Sequence, residues 1–416
     1  MPPRQKVQLA LSHDDSLAAV PKDFSAHRSS GISAIAYARL KEYLGITSGD
    51  IYIYDMTQQL AIVEPEVLDR LGIDCIELGR GFCLDSSDWK PWTLPDGTPC
   101  KILSYLNVEK EGNDWYLLHD DGMRFGVQKE GCLYFEQCYY PWEECSLEEV
   151  DLSELEVVLS RHMRSICPSP GAHLPMTDEG LAQLAEGAKK LRESTDRAIV
   201  GLGSGSMFEL PQWIFRMDHW LLEMALHPEA LMRFQERLCE IHLKKLERWL
   251  PVVGPYIDIV HFGDDLGSQN GPMISLNMYR NCIKPFHAKI WQRAKELADV
   301  KVLLHCCGGI EPLLPDMIDA GLDAVNPVQI TCNGMDPEHL KNTFGDRLTF
   351  WGGGCDTRRM LTEGTPEEIK KHVHELLDIW TPHGGYVFQQ VHNIQANVPP
   401  QNIVAMFDAI REYESR

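Results

Sequence analysis

The sequence predicts a closed (β/α)8 barrel with an inserted, aromatic-rich β-meander. Two observations carry the barrel. Eight short, apolar, β-rich runs alternate with amphipathic helical stretches along most of the 416 residues. The rival, a doubly wound open sheet, would want a glycine-rich phosphate loop after its first strand, and "IYIYDMTQQLAIVEP" has none. The insertion rests on a third observation, a break in that rhythm at residues 88–142.

Taken in order, the strands are expected at 51–55, 74–78, 198–203, 257–264, 301–307, 323–329, 348–354 and 386–392. Between them lie helical patterns such as "EPEVLDRLG", "TDEGLAQLAEGAKKLRES", "HPEALMRFQERLCEIHLKKLERWL" and "TPEEIKKHVHELLDIW". Several open on Thr or Asp followed by acidic residues, or carry Pro in the first turn, as helix N-termini prefer. The chain divides into 1–87 (N-terminal segment and first barrel strands), 88–142 (β-rich insertion or lid) and 143–416 (remainder of the barrel). Within the insertion, "PDG", "EGND" and "DDG" are turn signals between short alternating strands dense in Trp, Tyr and Phe. Those rings form the insertion's own small core, or some of them face an apolar substrate from above the barrel mouth; the two readings are compatible.

Composition narrows the classes. The formal net charge of -22 argues against nucleic acid and acidic membrane as partners. It also sits poorly with a substrate rich in carboxylates, since no lysine or arginine cluster stands out in the sequence. No run approaches a membrane span, and "MPPRQKVQLALSHDD" lacks the apolar core of a signal peptide, so a cytoplasmic protein is expected. Thirteen cysteines, an odd number in a long chain, read mostly as reduced, buried thiols.

In barrels of this kind the chemistry collects at the C-terminal strand ends. Those ends carry Asp55, Glu77, His261 with Asp264 and Asp265, His305 with Cys307, Asn326 and Gln329, Cys355 with Asp356, and His392 with Asn393. The stretch "KVLLHCCGG" at 301–309 is the most informative. On a strand, His305 and Cys307 project to one face and Cys306 to the other. A nitrogen and a sulfur donor on one side of a strand end suit zinc. Cys355 and His392 are the candidates to complete the site, with Cys355 ranked slightly ahead because a second thiolate strengthens zinc binding. Both together would give a closed shell, whereas a catalytic zinc keeps one position for substrate. Asp264 and Asp265 either contact substrate or metal, or serve loop amides and the following helix start.

Four segments, "GDDLGSQNGP", "HCCGGIEPLLPDMIDAGLDAVNPVQ", "FGDRLTFWGGGCDT" and "VFQQVHNIQANVPPQNIVAMFDAI", resemble the uroporphyrinogen decarboxylase superfamily. More closely, they are similar to its zinc-dependent branch of corrinoid methyltransferases. The resemblance covers roughly residues 190–413, with weaker similarity in the first 80. It departs from the family in two places. The arginine-rich segment that holds porphyrinogen carboxylates has no counterpart in "YIYDMTQQLAIVEP". Thiol-methylating relatives take their third zinc ligand from a cysteine after the eighth strand, where this chain has His392.

The resemblance implies an enzyme with zinc held by His305, Cys307 and a third ligand from Cys355 or His392. Its expected activity is transfer of a methyl group from a methoxylated aromatic or similar donor to a corrinoid carried by a partner protein. Asp264, Asp265 and Glu77 are the expected catalytic groups, and His261, Asn326 and Gln329 the expected substrate contacts. A methylcobamide:thiol methyltransferase is the alternative within the class. From another class comes a metal-free, uroporphyrinogen-decarboxylase-like lyase. A homodimer is expected by analogy alone.

Overall fold

The computed structural model describes residues 1–17 and 19–416. Seven parallel strands form one curled sheet, in the spatial order Cys75–Glu77, Ala198–Leu202, Ile259–Gly263, Lys301–His305, Ala324–Asn326, Thr349–Trp351 and Tyr386–Val387. The circle is closed by residues 21–24. Lys22 bridges Phe388 in parallel, the Asp23 amide donates to the Phe388 carbonyl at 2.8 Å, and the Asp74 amide donates to the Lys22 carbonyl at 2.8 Å. This short stave links the last strand to the first and completes a (β/α)8 barrel.

The expected first strand is therefore corrected. Tyr52–Asp55 lies outside the barrel, paired with Leu60–Ala61 and, in parallel, with Pro99–Leu103. An apolar run records that a segment pairs, not which sheet it joins. The true first stave escaped notice because its sequence, "PKDF", is short and half charged. Its charges are buried but partnered: Lys22 faces Glu414 at 3.3 Å, and the Lys22 amide donates to Asp74 at 2.9 Å. Buried charges persist only with such partners.

Strand side chains alternate between two cores. Inward-facing Cys75, Val200, Ile259, Leu303, Ala324 and Val387 fill the barrel, and the opposite faces meet the helices. The bottom of the barrel is plugged by the helix Pro3–Leu11, whose Val7, Ala10 and Leu11 join the interior cluster. Burying Val7 and Leu11 contributes roughly 1.5–3 kcal/mol each. The top is left for polar residues. Outer helices start where the sequence places caps: Thr177 accepts from the Gly180 amide, and Thr365 with Glu368 forms a reciprocal capping box ahead of Pro366–Trp380.

The insertion contains two small sheets. Trp89–Thr93 and Pro99–Leu103 extend the Tyr52–Asp55 sheet; Asn107–Glu111, Asp114–Leu118, Arg124–Gln128 and Glu136–Gln137 form an antiparallel sheet. Its aromatics pack on one another, Trp92 against Trp115 at 5.5 Å and Phe125 against Tyr139 at 5.0 Å between ring centres. Among the described residues, no helix is long and apolar enough to cross a membrane.

Candidate metal centre

The strand Lys301–His305 sends Leu303 into the barrel and Val302 and Leu304 outward, so His305 and then Cys307 point inward at its top. Cys306 faces the outer core, where its sulfur accepts from the Leu266 amide at 3.2 Å. The glycines that follow are required by crowding. Gly308 has φ +88°, and a side chain there would meet the Gly267 main chain at 2.3 Å.

Across the barrel mouth, the chain leaving Tyr386–Val387 brings in His392. One donor atom each from His305, Cys307 and His392 lie within 4.8 Å of one another. His305 Nε2 is 3.3 Å from Cys307 Sγ. The Nδ1 atoms of both histidines are engaged elsewhere, His305 with Asn326 Oδ1 at 2.9 Å and His392 with Asn393 Oδ1 at 2.8 Å. An amide oxygen only accepts, so each imidazole carries its proton on Nδ1 and turns a lone pair outward on Nε2. Burial, reinforced by the neighbouring His305, pushes the His392 pKa down to about 4, which keeps that ring neutral. Two imidazoles whose Nδ1 atoms are engaged by amide oxygens, together with one thiol, are a donor set that fits zinc.

Cys355 is not in this group. Its thiol lies in the outer core, and burial pushes it far up, as expected of a packed sulfur. A small residue after a strand end points wherever the local turn sends it, and here the turn sends Cys355 away from the mouth.

Beside the three donors opens a cavity of about 370 Å³, lined by Arg28, Ser29, Gln58, Arg164, Glu209, His261, Asp265, His305 and His392 with Leu202, Gly203 and Gly263. Of the expected substrate contacts, only His261 lines it. His261 stacks on His27 at 4.7 Å, and its Nε2 is buried without a partner. Asn326 instead lies beneath His305 as its hydrogen-bond acceptor, and Gln329 accepts from the Gly308 amide. Both bond the segment that carries His305 and Cys307 and do not line the cavity. Polar residues at strand ends have two possible directions, and these two are spent on the loop itself.

The expected catalytic acids also separate. Asp264 is fully buried away from the cavity. It accepts from Ser206 Oγ at 2.8 Å, from the amides of Met207, Phe208 and Glu209, and from His287 Nε2 at 2.8 Å. Burial opposes its ionisation, but His287 and the loop amides outweigh that and hold its carboxyl below the usual range. Asp264 thus bonds the chain at 206–209 and does not line the cavity. Asp265 lines the cavity and accepts from the Cys307 amide at 2.8 Å, 3.5 Å from His305 Nε2. Glu77 lies behind the cavity wall, in a buried network with Arg28, Arg80 and Asp55. Burial raises its pKa to about 7, with Arg28 and Arg80 pulling the other way.

Five cavity residues had no sequence signal strong enough to find them. Arg28 and Ser29 follow the true first stave in "HRSSG", and the misplaced first strand hid them. Gln58 follows Tyr52–Asp55, Glu209 opens a helix after the glycine-rich loop at 201–205, and Arg164 sits in a four-residue helix beyond the insertion. Arg28 pairs with Asp55, and Arg164 lies over Trp213 at 4.7 Å with Glu209 at 4.0 Å. Burial, then Asp265, raises the Glu209 pKa. Two arginines 136 positions apart thus share one cavity, which no local charge cluster could have announced.

Residues 164–413 match the family described as uroporphyrinogen decarboxylase (URO-D). A curated uroporphyrinogen decarboxylase from Legionella pneumophila (strain Corby) is 29% identical over 126 residues, 30% of this chain. The chain spans about a third (34%) of that relative's length. A solved methyltransferase from Methanosarcina mazei is 15% identical, covers 99% of both chains and superposes with a TM-score of 0.59, a likeness of fold.

Proposed function

Because the chain belongs to the uroporphyrinogen decarboxylase family, over residues 164–413, we propose that it is a zinc-dependent methyltransferase that moves a methyl group from a methoxylated donor to a corrinoid on a partner protein. The observation that carries this reading is the trio His305, Cys307 and His392, with both imidazole tautomers fixed at the edge of a polar cavity. Three protein ligands leave a position open, as catalytic zinc needs.

Zinc held there would supply a Lewis acid for the oxygen that loses its methyl group, or would acidify a thiol acceptor. A set with one thiolate donates less charge than one with two, which favours the electrophilic role. The chain's own residues supply the rest. Glu209, its pKa raised, lines the cavity and can hold a proton for the departing oxygen. Arg28, Arg164, Gln58 and Ser29 offer polar contacts to the donor. No Trp, Tyr or Phe lines this cavity, so the expected stacking walls give way to a donor bearing polar or anionic substituents. Glu77, buried beside Arg28 and Arg80, does not line the cavity and reaches the donor only through Arg28.

The two arginines are the observation that favours a metal-free decarboxylase acting on a carboxylated substrate. Metal content separates the readings. Zinc by mass spectrometry is expected near one per chain in wild type and absent in Cys307→Ala. The zinc-loaded protein is expected to methylate cob(I)alamin from methoxylated donors in an anaerobic absorbance assay. A metal-free wild type, prepared without chelators, would sink the methyltransferase reading and leave the decarboxylase.

A further inference from the structure

Resting on the reading of His305 as a metal ligand, we infer that Ser29, Asn326 and Gln389 form a closed hydrogen-bonded ring that fixes the His305 tautomer and thereby sets the affinity of the metal site. Asn326 Nδ2 donates to the Trp351 carbonyl at 2.7 Å. A carbonyl can only accept, so the amide cannot flip, and Asn326 Oδ1 must face the other way. There it accepts from His305 Nδ1 at 2.9 Å and from the Ser29 hydroxyl at 2.5 Å. Gln389 is pinned by the same logic: its Nε2 donates to the Ser29 carbonyl at 3.1 Å, which turns its Oε1 to Asn326 Nδ2 at 2.7 Å.

The ring is thus Ser29 hydroxyl to Asn326, Asn326 to Gln389, and Gln389 back to the Ser29 main chain. Two main-chain carbonyls, of Trp351 and Ser29, fix the direction of every bond in it. The consequence for the metal site follows directly. With both lone pairs of Asn326 Oδ1 occupied by donors, His305 carries its proton on Nδ1 and presents Nε2 toward Cys307. All three ring residues are buried, Ser29 at the wall of the cavity.

The three members come from distant parts of the chain. Asn326 ends its strand, Gln389 follows Tyr386–Val387, and Ser29 follows the stave at residues 21–24. They meet only when the barrel is closed. The N-terminal segment, which contributes no donor atom to the metal group, is therefore part of the metal site through Ser29. Ligand-orienting partners of this kind typically change metal affinity by about 10–100-fold.

The test is zinc affinity by competition with a chromophoric chelator, measured on the full chain. Ser29→Ala and Gln389→Met are each expected to bind zinc about 10–100-fold more weakly than wild type. Ser29→Thr, which keeps the hydroxyl, is expected to stay close to wild type. The double variant should lose less than the product of the single losses, because both changes act through one side chain, Asn326, which the Trp351 carbonyl continues to hold. Wild-type affinity in Ser29→Ala overturns the inference, as does equal loss in Ser29→Ala and Ser29→Thr, which would signal packing rather than the hydroxyl. Strict multiplicativity of the two single losses also overturns it. A zinc-binding wild type with an unaffected Ser29→Ala refutes the ring alone, whereas a wild type that takes up no zinc refutes the metal reading beneath it.

Discussion

Asp264→Asn separates a structural carboxylate from a catalytic one. Asp264 Oδ1 accepts from Ser206 Oγ, the Phe208 amide at 2.9 Å and the Glu209 amide at 2.6 Å. Oδ2 accepts from the Met207 amide at 3.0 Å, from His287 Nε2 at 2.8 Å and, shared with Oδ1, from the Phe208 amide at 3.1 Å. An asparagine must turn its NH2 to one side, so whichever rotamer it adopts, at least one buried main-chain amide, of Glu209 or of Met207, loses its acceptor. Such a loss costs about 1–3 kcal/mol. The assay is urea unfolding followed by circular dichroism. Activity should fall as well, because the same carboxylate holds the main chain of Glu209. If Asp264→Asn instead unfolds within about 0.5 kcal/mol of wild type, as an innocuous substitution does, while activity vanishes, then Asp264 acts on substrate and the structural assignment is wrong.

Two further outcomes follow from the same geometry. Cys355→Ala should leave zinc content unchanged and His392→Ala should lower it sharply, both read by mass spectrometry; zinc loss in Cys355→Ala would restore the second thiolate as a ligand. Glu77 supplies a pH signature. Its folded pKa, pushed up to about 7 by burial, lies above the ordinary glutamate value near 4.5. Its contribution to stability is therefore fully present below about pH 4.5 and is lost as pH rises through about 7, a change of about 3 kcal/mol. Glu77→Gln should flatten the fall in unfolding free energy across that window, and an unchanged slope in the variant would assign the pH dependence elsewhere.

The barrel was legible because it depends on local pattern. Seven staves match the expected runs at 74–78 through 386–392, each carrying an apolar run that a buried parallel strand needs. The eighth was misplaced because residues 21–24 are buried by pairing their charges rather than by being apolar. Tyr52–Asp55 had the apolar pattern but spends it on the insertion's sheet. The aromatics of the insertion were visible as a cluster, yet whether they faced one another or a substrate depended on how two sheets fold over, and they pack on one another.

The candidate site divides in the same way. The sequence alone determined that His305 and Cys307 share a face, because strand geometry alternates side chains with a period of two whatever the rest of the fold does. It also determined that Cys306 turns away; that Gly308 must be a glycine follows from the close approach of the Gly267 main chain, a tertiary contact. Tertiary structure alone decided between His392 and Cys355, since each lies on a different stave and only barrel closure brings one of them to the mouth. It likewise placed Asp264 against the amides of Phe208 and Glu209 and Asn326 against His305, away from the cavity. Arg28, Arg164 and Glu209 line the cavity for the same reason: their directions are set by contacts with residues remote in the chain, which no local period encodes.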